Sequence, residues 1–148
     1  MKPLSIRQVP AYIQKEMEII TKHVKPLVKK SSTYAILSIP LILFSLTNLF
    51  ILLINHGFNR DMWLTLLVFA ILAAIGMAFS KESKSLQKEI QQKSNHYIIE
   101  RIKKSIIVPE FKKKEFVNLI KKQPVLGFNT FIKFLEEEKR LKDVENLI

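Results

Sequence analysis

Residues 33–55 read TYAILSIPLILFSLTNLFILLIN and residues 62–80 read MWLTLLVFAILAAIGMAFS, and neither stretch contains a charged side chain. Fourteen of the first 23 residues are Leu, Ile or Phe. At about 1.5 Å of rise per residue, helices of these lengths are about 34 and 28 Å long, a match to a hydrocarbon core of about 30 Å. Helices apolar on every side need either lipid or a protein coat, and a 148-residue chain has too little sequence left to supply the coat. The expected fold is all-α: an integral membrane helical hairpin with two transmembrane helices, 33–55 and 62–80, and cytoplasmic amphipathic helices.

Between the two windows, Asn55-His56-Gly57-Phe58-Asn59-Arg60-Asp61 is short and turn-like, so the spans are expected to run antiparallel. Three segments follow: a cytoplasmic amphipathic helix over 1–32, the transmembrane hairpin over 33–80, and a basic cytoplasmic helical region over 81–148. The first 32 residues are amphipathic or polar, unlike a secretory leader, and no cleavage is expected. Lys and Arg number seven in residues 1–32 and sixteen in residues 81–148, against Arg60 alone in the turn. The positive-inside rule then puts both termini in the cytoplasm of a multi-pass plasma-membrane protein. Tyr34 and Trp63 suit the two interfaces as aromatic anchors, and Lys29 and Lys30 can snorkel at the inner one.

Composition excludes much else. The chain has no cysteine, which removes disulfide scaffolds, thiol nucleophiles and Cys-based metal sites, and three glycines are too few for a phosphate-cradling loop. His23, His56 and His96 are not at ligand spacing, so neither metal nor any other cofactor is expected. Glu136-Glu137-Glu138 with Lys139-Arg140 reads as a solvated helix face rather than a catalytic carboxylate pair. No enzyme chemistry is expected.

Inside the windows, Ser38, Ser45 and Asn48 share a helical face, and Ala70, Ala74 and Ala78 recur at four-residue spacing, with Ala73 and Gly76 nearby. Small and hydroxyl side chains allow close helix approach, so these six are the candidate interhelical packing residues. The alternative places the three polar side chains along a pore. Pro40 is expected to kink the first span.

On the cytoplasmic side, Pro10 opens a helix to about Lys30 with Ile13, Met17, Ile20, Val24 and Leu27 at 4-3-4-3 spacing. This seam either packs against the helix after the second span, with Ile20 near Leu86 or Ile90, or lies on the inner leaflet. Lys81 to about Val108 continues as a helix with a bend near Ser94–His96. Pro109 opens another, with Phe111, Phe116, Leu119 and Ile120 as its apolar positions. After a break at Gln123–Gly127, Asn129 or Thr130 is expected to cap a last helix lined by Phe131, Phe134, Leu135, Leu141, Val144 and Leu147. Half of the ten phenylalanines fall between Phe111 and Phe134, which predicts a small aromatic core.

Lys112, Lys113, Lys114, Lys121 and Lys122 stand beside Phe111 and Phe116 and are the candidate contacts for anionic lipid headgroups or a protein partner. Nucleic acid is disfavoured, because no base-reading motif accompanies the charge. The segments Gln8-Val9-Pro10-Ala11-Tyr12-Ile13-Gln14-Lys15-Glu16 and Lys30-Ser31-Ser32-Thr33-Tyr34-Ala35 resemble the uncharacterised small two-span membrane proteins of Bacillus-type bacteria, a family holding a domain of unknown function. The resemblance spans the whole chain, implies a bacterial plasma membrane and lends no catalytic residues. The expected role is a non-enzymatic membrane protein with a cytoplasmic-facing interaction or regulatory surface, embedded in the lipid bilayer alone or as a homo-oligomer. A small pore-forming or holin-like oligomer is the alternative.

Overall fold

The computed structural model describes residues 10–55 and 62–146. They form four helices with no strand among them: α1 (Ala11–Asn55), α2 (Met62–Lys104), α3 (Glu110–Lys122) and α4 (Gly127–Glu145), with a 3₁₀ turn at Pro124–Leu126. The turn expected after Asn55, with His56, Arg60 and Asp61, lies outside the described residues. The chain divides into two compact units, one built from residues up to Lys25 and from Ile90 onward, the other from Pro26–Glu89.

α1 is longer than the sequence segments suggested. The amphipathic stretch and the first apolar window form one 45-residue helix, with Pro26 and Pro40 both inside it. Each proline removes one ladder hydrogen bond, and the remaining bonds and the packed seam carry the helix through. α2 likewise runs unbroken through Ser94–His96 to Lys104 and stops before the expected Val108. By length and composition, both helices are able to cross a membrane.

In α1 the buried positions keep a seven-residue period: Ile13 and Ile20 on one line, Val24, Ser31, Ser38 and Ser45 on the other. Leu27, Tyr34, Leu41 and Asn48, which continue the first line, are half-buried. This is a heptad seam sustained along the helix. It joins the apolar 4-3-4-3 stretch to the serine face, which the sequence suggests as two separate features.

The unit containing α3 and α4 has a core of Ile13, Ile20, Ile98, Ile102, Val108, Val117, Ile120, Phe131, Phe134 and Leu135. Ile20 therefore packs in a cluster with Ile98 and Ile102, and neither Leu86 nor Ile90 is a member of it. Phe131 and Phe134 are stacked at 6.3 Å, and Phe116 meets Phe134 edge-on at 5.5 Å, the aromatic core the phenylalanine density predicts. Other expectations need correction. Ile106 is 98% exposed because α2 has already ended, and Phe111 and Leu119 are exposed while Val117 and Ile120 face inward. Val144 is exposed, and Leu147 lies outside the described residues.

Pro109 precedes α3 as its N-cap, in line with its fixed φ. α4 begins at Gly127, two residues before Asn129 and three before Thr130, and has no side-chain cap. A tertiary contact replaces the local one: Asn95 Nδ2 donates to the Pro124 carbonyl at 2.9 Å, tying the 3₁₀ turn to α2.

Candidate functional site

The Pro26–Glu89 unit is a pair of helix segments in close approach. Gly76 sits so near α1 that a Cβ there would lie 2.8 Å from Ile42 Cγ1 and 3.2 Å from the Ile42 backbone nitrogen. Ala73, about one helical turn earlier, is buried too. By contrast Ala70, Ala74 and Ala78 are exposed, so the four-residue alanine stripe does not make this contact. The packing face lies one residue earlier in the helical turn, about 100° round, on the line through Ala73 and Gly76. Sequence spacing alone cannot choose between two adjacent stripes of small residues.

Ser38 and Ser45 are buried, and Asn48 is half-buried. Their polar groups return to their own helix: Ser38 Oγ donates to the Ala35 carbonyl at 2.9 Å, Ser45 Oγ to Leu41 at 2.7 Å, and Asn48 Nδ2 to Phe44 at 2.7 Å. They serve the pair as small or self-satisfied groups, and among the described residues none of them bonds across to the other helix. The cross-helix bonds come from two serines that the sequence pattern does not single out. Ser31 Oγ donates to the Ser83 carbonyl at 3.2 Å, and Ser83 Oγ donates to the Ser31 carbonyl at 3.0 Å. Next to this clasp, Tyr34 stacks on Phe79 at 5.6 Å and Lys30 Nζ stands 5.7 Å from the Tyr34 ring centroid.

The other unit is organised around Arg101. Its Nε donates to Glu16 Oε1 at 2.8 Å, and Nη2 and Nη1 donate to the two oxygens of Glu138 at 2.9 and 3.3 Å. Ser105 Oγ also donates to Glu138. One guanidinium thus bridges α1, α2 and α4 across separations of 85 and 37 residues, which leave no local trace in the sequence. Burial works to lower the Arg101 pKa, and the bonds to Glu138 and Glu16 outweigh it, raising the pKa and keeping the cation charged. Glu16 Oε2 is buried without a partner among the described residues. A cleft of about 430 Å³ opens here, lined in part by Tyr12, Glu16, Arg101, Glu138 and Lys142. Burial raises the Tyr12 hydroxyl pKa, helped by the nearby charges of Glu136 and Asp143, so Tyr12 is a neutral donor rather than a base.

The five candidate lysines divide. Lys112 is ion-paired with Glu137, and Lys113 with Glu110 at 2.7 Å while donating to the Ser105 carbonyl at 3.0 Å. These two fasten α3 to its neighbours. Lys114, Lys121 and Lys122 are exposed. The acidic run is not simply a solvated face, because Glu137 also takes Arg140 at 2.8 Å, and the hydrogen bonds from Lys112 and Arg140 hold its carboxyl below the usual range. No group of three or more His, Asp or Glu side chains is placed to hold a metal among the described residues.

Residues 5–143 match a family described as a family of unknown function (DUF5392). The chain is 40% identical over 137 residues to "Uncharacterized protein YwnF" of Bacillus subtilis (strain 168), an alignment covering 93% of this chain and 94% of that protein. No solved structure matches.

Proposed function

We propose that this chain, which belongs to the family of unknown function DUF5392, is a non-enzymatic two-span protein of the bacterial plasma membrane with both termini in the cytoplasm. Its helical cytoplasmic unit serves as an interaction or regulatory surface. The supporting observation is where exposed apolar surface falls. Of the twenty-four large hydrophobic side chains exposed among the described residues, seventeen lie between Ile36 and Met77. The most apolar stretch of each long helix is only 11% buried. A soluble core helix would be mostly covered, and each such side chain left in water forgoes about 1.5–3 kcal/mol of burial energy. Lipid removes that penalty, and the charge counts on the two flanks supply the orientation.

Fractionation and labelling test this reading. The chain is expected to stay with membranes through alkaline carbonate and to leave with detergent. It has no native cysteine, so single substitutions report sidedness directly. Asn59→Cys should react with an impermeant maleimide added to intact cells, and Asn118→Cys, exposed on α3, should react only after permeabilisation. The reverse pattern would overturn the topology, and release by carbonate would overturn the membrane assignment.

A further inference from the structure

The Ser31–Ser83 clasp fixes which residues of α1 and α2 stand level with one another within the Pro26–Glu89 unit. Ser31 and Ser83 are 4% and 3% exposed. Lys29 and Lys30 immediately precede Ser31, while Lys81, Lys84 and Lys88 lie within five residues of Ser83. At about 1.5 Å per residue, all five lysines fall within about 8 Å of the clasp along the helix axes. All five are exposed, and none is in an ion pair among the described residues. Glu82 and Glu89 are the acids of the same stretch, which leaves a cationic collar where two helices meet.

The apolar surface begins within two turns of that collar. Ile36 and Leu37 on α1 and Met77 on α2 are exposed large side chains, and the Tyr34–Phe79 stack lies between them and the lysines. Cations directly bordering bare hydrocarbon-facing surface complement one ligand chemistry: a phosphate carried on acyl chains. The geometry points to an anionic-phospholipid site at this collar, formed by Lys29, Lys30, Lys81, Lys84 and Lys88, rather than at the lysines of α3. Two of the α3 cations, Lys112 and Lys113, are already held by Glu137 and Glu110. A free phosphate would use the lysines and gain nothing from the apolar border, whereas a phospholipid uses both. This assignment rests on the membrane reading above and deepens it.

The test uses the full chain, first shown by carbonate fractionation to be membrane-embedded, then purified in a neutral detergent. Native mass spectrometry would count retained phosphatidylglycerol against phosphatidylcholine at equal supply. A cation near a lipid surface is worth about fivefold in binding, so the wild type should prefer phosphatidylglycerol by about tenfold or more. The five Lys→Gln substitutions together should abolish the preference. The five Lys→Arg substitutions should keep it, which separates loss of charge from loss of fold, and so should Lys114→Gln with Lys121→Gln and Lys122→Gln, the exposed lysines of α3. A phosphatidylglycerol preference kept at the wild-type level by the Lys→Gln variant would overturn the collar while leaving the membrane reading intact. Displacement of the lipid by millimolar inorganic phosphate would overturn the phospholipid as occupant, and release by carbonate would overturn the premise itself.

Discussion

At the scale of single residues, the two glycines of the described chain do different jobs, neither of them a matter of unusual backbone angles. Gly127 has φ −52°, ordinary helix, and what it requires is room. A Cβ there would lie 2.1 Å from Asn95 Oδ1, so the amide must turn away and release the Pro124 carbonyl that it holds. Losing such a bond costs about 1 kcal/mol. Gly127→Ala is therefore expected to destabilise the full chain in detergent by about 1 kcal/mol, measured by chemical unfolding followed by helical circular dichroism. In an Asn95→Ala background the same change should be close to neutral, since no Asn95 amide is left to displace and Gly127, the first residue of α4, lies outside the helix interior where alanine has its advantage. Additive effects of the two substitutions would show that the residues are not coupled. Arg101 makes the complementary point about legibility. Its partners Glu16 and Glu138 are distant in sequence, and Glu138 reads locally as one of three solvated carboxylates; only the fold reveals the bridge.

At the scale of elements, the heptad seam of α1 and the close approach at Gly76 define how the Pro26–Glu89 pair is held. The Cβ of any larger residue at Gly76 would meet the Ile42 backbone, which cannot step aside as a flexible side-chain end can. Overpacking of this kind costs about 1–3 kcal/mol. A Ser31→Cys, Ser83→Cys double variant offers a readout, because the two hydroxyl oxygens are 3.2 Å apart and the chain carries no other cysteine. Oxidation should crosslink this pair efficiently. Adding Gly76→Leu should lower the yield severalfold, whereas adding Ala74→Leu on the exposed stripe should leave it unchanged. Equal yields would mean that Gly76 does not set the spacing. The extent of both apolar windows and the helix start after Pro109 were readable from charge and proline alone. Which alanine stripe faces inward was not, because Ala70-Ala74-Ala78 and Ala73-Gly76 are equally small and neighbouring on one helix. The start of α4 was missed for a related reason: Asn129 and Thr130 have the chemistry of a cap, but the contact between Asn95 and the Pro124 turn decides where the helix begins.

At the scale of the whole molecule, polar chemistry and exposed apolar surface are sorted into different places, and the sorting bears on whether copies of the chain could conduct. A conducting oligomer needs polar groups lining a wet path through the apolar windows. Ser38 and Ser45 are 4% and 0% exposed, and each hydroxyl is bonded to a carbonyl of its own helix, as is the Asn48 amide. The surface left to meet a second copy consists mainly of side chains such as Leu43, Phe44, Phe50, Leu67 and Ile71 together with Ala70, Ala74 and Ala78, with Thr47 and Thr65 as isolated exposed hydroxyls. A path bounded by those residues would dewet, and ions would meet a hydrophobic constriction. No ionisable group in either window offers a relay in its place. Induced expression in a bacterial host is therefore expected to leave the membrane potential, followed with a potential-sensitive dye, equal to that of a strain carrying the empty vector. Sustained depolarisation that disappears with Ser38→Ala and Ser45→Ala would show that these hydroxyls leave their own-helix carbonyls and face water in an oligomer. Depolarisation that persists in that variant would place the conducting path elsewhere, and the self-satisfied serines would then say nothing about it.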